Sequence, residues 1–134
     1  MYEEQFEELD WILNSSDYGF YLVVADKSLH QGIADKLLVK DIKVYDYSNH
    51  TGLYSFNELE QFITSNNHVS NFMLLNMQSC LHTYESRYRL NFSRDMLNRL
   101  KKNIIFLVDS ETDDMLCKDA MDFYSFLKLR IIFN

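Results

Sequence analysis

The sequence predicts an α/β domain built as a three-layer α-β-α sandwich, with a five-stranded, mostly parallel sheet and an amphipathic helix at its N-terminus. Helical and strand-like apolar patterns alternate along the chain from residue 19 onward. Several strand-like segments, such as residues 104–108, are apolar throughout, which is typical of strands covered on both faces. With 134 residues and 47% apolar composition, the chain is large enough for one core, and we predict a single domain over residues 1–134.

The first half of the chain predicts three helices and two strands, of which the first strand is buried. An amphipathic helix is expected over residues 2–14, where apolar side chains recur every three or four residues and glutamates fill much of the rest. A strand follows over residues 19–25, and Asp26 can cap the second helix with its side chain. Ser55 and Glu58 form a capping box ahead of the third helix.

The second half predicts helices that are harder to delimit, because the chain has no proline and only three glycines. A long polar and aromatic stretch ends in a helical stripe of Met96, Leu97 and Leu100. After the strand at residues 104–108, a helix is predicted to start at Ser110 and to continue as one element to Leu127. The other strands are predicted at residues 42–47, 69–77 and 129–133.

The charge balance excludes several classes of partner. Thirteen basic and twenty acidic residues give a net charge of −7, which disfavours binding to DNA, RNA or an anionic membrane surface. No apolar run approaches the roughly 18–20 residues that span a bilayer, and the acidic N-terminus has no signal-peptide pattern. Two cysteines cannot build a disulfide framework. We therefore predict a cytoplasmic protein without nucleic-acid or membrane partners.

A nucleotide site would lie beyond the carboxyl ends of the strands, where doubly wound sheets bind their ligands. Lys27 and Ser28 follow the first strand, but only Asp26 separates them from it, so no glycine-rich arc can surround a phosphate. The third strand ends in Asn76, where a nucleotide hydrolase would place a carboxylate for magnesium. A degenerate site that binds without hydrolysis would use Lys27, Ser28, Asn76 and Asp109. We predict no cofactor.

Other catalytic and metal chemistries lack residues that they require. The three glycines are too widely spaced for a dinucleotide-binding fingerprint, and no acidic pair follows the first strand, as a phosphoacceptor domain needs. Cys80 and His82 are the only close Cys/His pair, which favours a buried thiol beside a surface imidazole over a zinc site. Nucleophilic catalysis by Cys80 with His82 or His50 has no third, orienting group. We expect no metal site and no enzymatic activity.

One segment mixes aromatic and basic side chains at helical spacing. Its members are Tyr84, Arg87, Tyr88, Arg89, Phe92 and Arg94. A partly exposed helix face explains this pattern without a partner, whereas the enrichment of Tyr and Arg among interface hot spots favours a protein contact surface. Both interpretations remain open at this point.

Two segments carry a resemblance to a known family: LNFSRDML at residues 90–97 and AMDFYSF at residues 120–126. Together with the apolar strands around them, they resemble the N-terminal α/β domain of bacterial tetratricopeptide-repeat and STAND-type NTPase proteins. In that family, Leu-Asn-x-x-Arg-[Glu/Asp]-x-Leu precedes one strand, and Ala-Pro-Asp-Phe-Trp-Ser-Trp precedes the last. Here Met121 replaces the proline, and Tyr124 and Phe126 replace the tryptophans. These replacements keep bulky side chains.

The resemblance implies a P-loop-NTPase-like sheet that lacks the phosphate-binding loop, within a longer protein that continues into further domains. It also implies that the third strand lies between the second and fourth and that the first lies beside the fourth. A flavodoxin-like order would instead place the first strand between the second and third. The matching positions are Leu90, Asn91, Arg94 and Asp95, of which Arg94 and Asp95 would form a polar hinge between the long helix and the fourth strand.

These observations together predict a non-catalytic adaptor, sensor or assembly domain in a bacterial signalling or defence protein. Its partner would be another protein, a flanking domain or a second copy of the chain. Two alternatives stay open: a degenerate nucleotide-binding domain, and a TIR-like NAD-cleaving enzyme whose cleft glutamate could only be Glu85 or Glu58. The predicted contact residues are Tyr84, Arg87, Tyr88, Asn91, Arg94 and Asp95.

Overall fold

The computed structural model describes residues 1–38, 41–49 and 56–134 of the chain. Helices and strands alternate as the sequence predicts, after an N-terminal helix. The helices are α1 Glu3–Leu13, α2 Lys27–Leu37, α3 Phe56–Ser65, α4 Tyr84–Arg99, α5 Ser110–Asp119 and α6 Met121–Tyr124. The strands are β1 Gly19–Ala25, β2 Ile42–Asp46, β3 Asn71–Leu75, β4 Asn103–Val108 and β5 Leu127–Phe133. In the described ranges, no helix is both long enough and apolar enough to cross a bilayer.

The five strands form one sheet in which every pairing is parallel, in the order β2-β3-β4-β1-β5. Strand β3 therefore lies between β2 and β4, and β1 lies beside β4. This is the order that the NTPase-like resemblance implies, and it differs from the flavodoxin-like order. The three central strands β3, β4 and β1 are buried along their whole length, as their continuous apolar runs predict.

Two separate cores fill the two faces of the sheet, which confirms the three-layer prediction. One core joins Phe20, Phe72 and Phe106 of the sheet to side chains of α3, α4, α5 and α6. The other joins alternate sheet residues such as Val23 and Leu107 to α1 and α2. Because successive side chains of a strand point to opposite faces, each buried strand contributes to both cores.

The connections leave the sheet in opposite directions at β1 and β4. From β1 the chain crosses through α2 on one face to the far edge at β2, whereas from β4 it crosses through α5 and α6 on the other face to β5. Adjacent strands whose connections diverge in this way leave a crevice between their carboxyl ends. The carboxyl ends of β1 and β4 are therefore the place where this architecture forms a cleft.

The last helical segment differs from the sequence prediction. The single helix expected from Ser110 to Leu127 is broken at Ala120, whose backbone angles are φ −131° and ψ 52°, and Leu127 already belongs to β5. The first of the two helices is capped by Asp109, which accepts a hydrogen bond from the Thr112 amide, and not by Ser110. The predicted capping residue Ser55 lies outside the described residues.

Candidate functional site

A cleft of about 610 Å³ lies beyond the carboxyl ends of β1, β4 and β5. Asp26 and Lys27 enter it from the turn after β1, and Asp109 and Glu111 enter it from the turn after β4. Lys27 is the sole basic side chain among the described residues that line the cleft, and its Nζ atom lies 3.8 Å from Asp109 Oδ2. The lining is therefore acidic overall.

The two aspartates of this cleft are helix caps. Asp26 accepts hydrogen bonds from the amide of Ser28 at 3.0 Å and from its hydroxyl at 2.7 Å, which confirms the predicted cap of α2. These bonds lower the pKa of Asp26. Partial burial opposes ionisation of Asp109, but hydrogen bonds from Thr112 and the charge of Lys27 outweigh it and lower its pKa. Both carboxylates are ionised at neutral pH and repel a phosphate.

The four residues of the predicted nucleotide site are only partly brought together. Lys27 and Asp109 share the cleft, but neither Ser28 nor Asn76 lines it. The Ser28 hydroxyl is bound to Asp26, and the Asn76 amide donates to Asp46 Oδ1 at 2.7 Å, linking the ends of β3 and β2. The side chains of Ser28, Asn76 and Asp109 are thus held by hydrogen bonds within the fold.

Sequence reasoning missed a buried histidine behind this cleft. His30 lies in the first turn of α2 with 4% of its surface exposed, and its Nε2 is 2.8 Å from the carbonyl oxygen of Ala25. His30 precedes the buried residues Ile33 and Leu37 by three and seven positions, and this spacing on the inner side of α2 is the signal that could have found it. It ties the start of α2 to the end of β1 and does not line the cleft.

Cys80 and His82 do not form a catalytic pair. The Cys80 Sγ donates to the Met77 carbonyl oxygen at 3.2 Å, whereas His82 Nδ1 lies 3.2 Å from the carbonyl oxygen of Ser79. Burial raises the pKa of the Cys80 thiol to about 12, so it is protonated and unreactive at neutral pH. His50, the other predicted partner, lies outside the described residues. Among the described residues, no group of three His, Cys, Asp or Glu could hold a metal ion.

We expect iodoacetamide to modify one thiol per native chain at neutral pH, and two after unfolding in urea. Cys117 is exposed and Cys80 is buried, so mass spectrometry should place the native label on Cys117 alone. The raised pKa of Cys80 also stabilises the fold below pH 9.0, and this contribution is lost as the pH rises through about 12. Rapid native labelling of Cys80 at neutral pH would contradict this assignment.

The glutamates of the TIR-like alternative do not face the acidic cleft. Glu85 lies in the first turn of α4, where it is exposed and accepts a hydrogen bond from Arg89 Nη2 at 2.8 Å. Glu58 lies in the first turn of α3 and is also exposed. Neither side chain lines the space between β1, β4 and β5.

The outer side of α4 carries three exposed aromatic rings in a row. Tyr84, Tyr88 and Phe92 are 61%, 42% and 70% exposed, and we call them the α4 aromatic surface. The rings of Tyr84 and Tyr88 stack with centroids 5.9 Å apart, and Phe92 packs edge-on against Tyr88 at 5.4 Å. The four-residue spacing predicted this continuous row.

A groove of about 580 Å³ lies beside these rings, between α3 and α4. Tyr88 and Phe92 form one side of it, and Phe56 and Met96 extend its apolar floor. Met96 follows Phe92 by four residues, so helical spacing could have predicted its place in the groove. No local sequence pattern predicts that Phe56 of α3 lies beside α4. The ion pair of Glu85 with Arg89 borders the groove.

Arg87 does not belong to the contact surface that the sequence predicts. Its side chain is buried, with Nε donating to Asp119 Oδ2 at 2.8 Å and Nη1 donating to the Leu81 carbonyl oxygen at 3.0 Å. Arg87 therefore links α4 to α5 and to the turn before α4. Arg87 and Arg89 are two residues apart and point about 160° away from each other on the helix, and their residue type does not show which of them faces inward.

The two segments that carry the family resemblance pack against each other. Asn91 Oδ1 accepts a hydrogen bond from the Phe123 amide at 2.9 Å, so α4 caps the start of α6. Arg94 Nη1 lies 3.4 Å from Asp122 Oδ2, and its guanidinium lies 5.0 Å from the centre of the Phe126 ring. Arg94 thus joins α4 to α6, and the predicted hinge toward β4 is wrong. Asp95 remains exposed, at 3.9 Å from Arg94.

Comparison with protein-family models, with curated proteins and with solved structures finds no match to this chain.

Proposed function

We propose that this chain is a non-catalytic adaptor, sensor or assembly domain that contacts other proteins through the α4 aromatic surface. The observation that carries the proposal is the row of three exposed rings beside an apolar groove. The largest exposed apolar patch of a monomeric protein is often functional, and aromatic anchors beside a pocket are typical of binding hot spots.

The acidic cleft supports a non-catalytic role. Doubly wound sheets bind ligands where the connections of adjacent strands diverge, and in this chain that position holds Asp26 and Asp109 as helix caps. Lys27, the basic side chain of the cleft, is close to Asp109. A phosphate would have to replace this interaction while facing two carboxylates, which disfavours a retained nucleotide site.

The arrangement of the sheet and helices supports membership of the family that the sequence resembles. The strand order is the one that a P-loop-NTPase-like domain would have, and the two motif segments meet at Asn91 and Phe123. We therefore propose a degenerate P-loop-NTPase-like domain of a bacterial tetratricopeptide-repeat or STAND-type protein. In this proposal it acts in the cytoplasm, in signalling or defence, together with flanking domains or separate partners.

A photo-crosslinking amino acid tests the contact surface in the full-length protein expressed in its host. We expect protein adducts when the crosslinker replaces Phe92 and none when it replaces Trp11. Trp11 is a matched control because it is 69% exposed, against 70% for Phe92, and lies on α1 across the sheet. Equal crosslinking at both positions would contradict the proposal.

The affinity for a captured partner should then depend on the same rings. We expect Phe92→Ala or Tyr88→Ala to weaken binding by about 30-fold, the effect of losing one hot-spot side chain. Trp11→Ala should leave the affinity unchanged.

Calorimetric titration with ATP, GTP and NAD checks the alternatives, since micromolar binding of any of them would favour the degenerate nucleotide site over the adaptor role.

A further inference from the structure

The face of α4 that is centred on Phe92 carries more than aromatic rings. Phe92 is the most exposed aromatic side chain of the described part of the chain. At about 100° per residue, Tyr88 and Met96 flank it within about 40° on opposite sides, and Glu85 and Arg99 lie within about 20° of its direction. One helix face therefore presents an aromatic ring at its centre and opposite charges toward its ends.

This face holds both a projecting ring and a groove that can receive one. The groove of about 580 Å³ starts directly beside Phe92 and is lined by Tyr88, Met96 and Phe56. Its volume lies within the range of pockets that enclose small organic ligands, so an aromatic side chain can enter it. In a two-fold dimer the same patch of both copies is in contact, so the patch has to be complementary to itself. A projecting ring beside a groove that fits a ring meets this requirement.

The charges select the direction of such a pairing. Glu85 and Arg99 each lie seven residues from Phe92, about 10 Å along the helix axis in opposite directions. An antiparallel copy with the two Phe92 side chains at the centre places Glu85 of one copy beside Arg99 of the other, twice. A parallel copy would place like charges together.

Both charged groups are accessible for this pairing. Arg99 is exposed, and no ion pair involving it is formed within residues 1–38, 41–49 and 56–134. Glu85 pairs with Arg89, but the two side chains are 72% and 60% exposed, so this pair contributes little and leaves Glu85 able to accept a second cation.

We infer that a second copy of this chain occupies the α4 face, forming an antiparallel two-fold dimer in which each Phe92 enters the groove of the other copy. The inference rests on the proposed function, because it identifies the partner of the same surface. The three aromatic rings expose on the order of 350 Å² per copy, less than half of the 800 Å² that each side of a stable interface buries. The dimer therefore forms at micromolar or higher concentrations.

Sedimentation velocity over a concentration series tests this dimer. The wild-type chain should shift from one to two copies per particle as its concentration rises toward the millimolar range at low salt. Phe92→Ala should weaken the association at least 10-fold, whereas the equally exposed Trp11→Ala should dimerise like the wild type. All of these positions are exposed, and circular dichroism can verify that each variant is folded.

A charge exchange tests the antiparallel direction. Glu85→Arg alone and Arg99→Glu alone each create two like-charge contacts and should weaken the dimer, while an equimolar mixture of the two variants should form a heterodimer as tight as the wild type. If each variant loses association and the mixture does not recover it, the antiparallel pairing is wrong.

The remaining outcomes separate this inference from the proposed function. A wild-type chain that stays monomeric into the millimolar range overturns the dimer. If crosslinking at Phe92 then captures a different protein, the proposed function stands with another partner. If crosslinking at Phe92 also yields nothing, both proposals fail.

Discussion

Replacing Phe123 with alanine should lower the free energy of unfolding by about 3–5 kcal/mol. Phe123 is completely buried, with its ring centre 4.9 Å from that of Phe106 and 5.8 Å from that of Phe20. The cavity left by alanine would lie between α6 and the paired, buried strands β1 and β4, so the surroundings can collapse only partly. The loss should appear as a lower urea midpoint in circular dichroism, with an unchanged slope.

Phe126→Ala provides the control for this substitution. Phe126 stands three residues away in the same motif and also stacks on Phe20, at 6.3 Å, but it is 38% exposed. We expect it to cost about 1 kcal/mol, because less apolar surface leaves water there on folding. If Phe123→Ala does not fold, Phe123→Leu can be measured in its place, because leucine keeps most of the side-chain volume. Equal losses for Phe123→Ala and Phe126→Ala would show that Phe123 is not an anchor of the core.

The sequence predicts the layers of this fold well because the signals involved are local. The continuous apolar run at residues 104–108 indicates a strand covered on both faces, and β4 is one. Asp26 has the residue type and the position of a helix cap, and it makes the expected bonds. In both cases a few residues that are close in the sequence are sufficient to predict the local structure.

The sequence does not reveal features whose deciding partner is distant in the chain. Arg87 is drawn inward by Asp119, which is 32 residues away, so its burial cannot be deduced from the α4 sequence. Asn103 lies within a buried strand because its amide donates to Asn71 and to the Ile12 carbonyl oxygen, at the end of α1. A buried polar side chain without a hydrogen-bond partner is unfavourable, so the local sequence alone indicates that both residues should be exposed.

The break at Ala120 has a similar cause. Neither glycine nor proline marks the end of α5, and the apolar spacing from Leu116 to Phe123 fits one continuous helix. The structure instead starts a second helix whose Phe123 amide is capped by Asn91 of α4. The motif segments were identified from the resemblance, but their contact with each other depends on tertiary packing. The same packing leaves Tyr84, Tyr88 and Phe92 on the outer side, as the sequence spacing predicts.

Arg130→Ala should destabilise the protein more than Asp113→Ala, although both remove the same ion pair between β5 and α5. The Asp113 side chain is 3% exposed, whereas that of Arg130 is 41% exposed. Removing the arginine leaves the carboxylate of Asp113 buried without its cation. Within the described residues, its remaining hydrogen-bond donor is then the Tyr124 hydroxyl, which lies 2.8 Å from Asp113 Oδ1. We expect a loss of about 3 kcal/mol, at the low end for buried pairs because solvent reaches the arginine site.

Asp113→Ala leaves a cation that can be hydrated and a Tyr124 hydroxyl without its acceptor, for which we expect about 1–2 kcal/mol. The double variant should be more stable than Arg130→Ala alone, because it no longer buries an unpaired charge. Urea unfolding of the two single variants and the double variant at neutral pH measures both differences. Equal destabilisation by the two single substitutions would mean that solvent screens the carboxylate of Asp113 as well.

The same cluster makes stability depend on alkaline pH. Burial, together with the hydrogen bond that its hydroxyl donates to Asp113, raises the pKa of Tyr124 from 10.0 to about 12. The protonated phenol therefore stabilises the folded chain below pH 10, and this contribution disappears as the pH rises through about 12. Tyr124→Phe should therefore reduce the loss of unfolding free energy that occurs between pH 10 and about pH 12. In a titration followed by the absorbance of tyrosinate, the variant should show one fewer tyrosine that ionises at the high-pH end. Because phenylalanine also leaves Asp113 without its hydroxyl donor, the variant should depend more strongly on Arg130 than the wild type does.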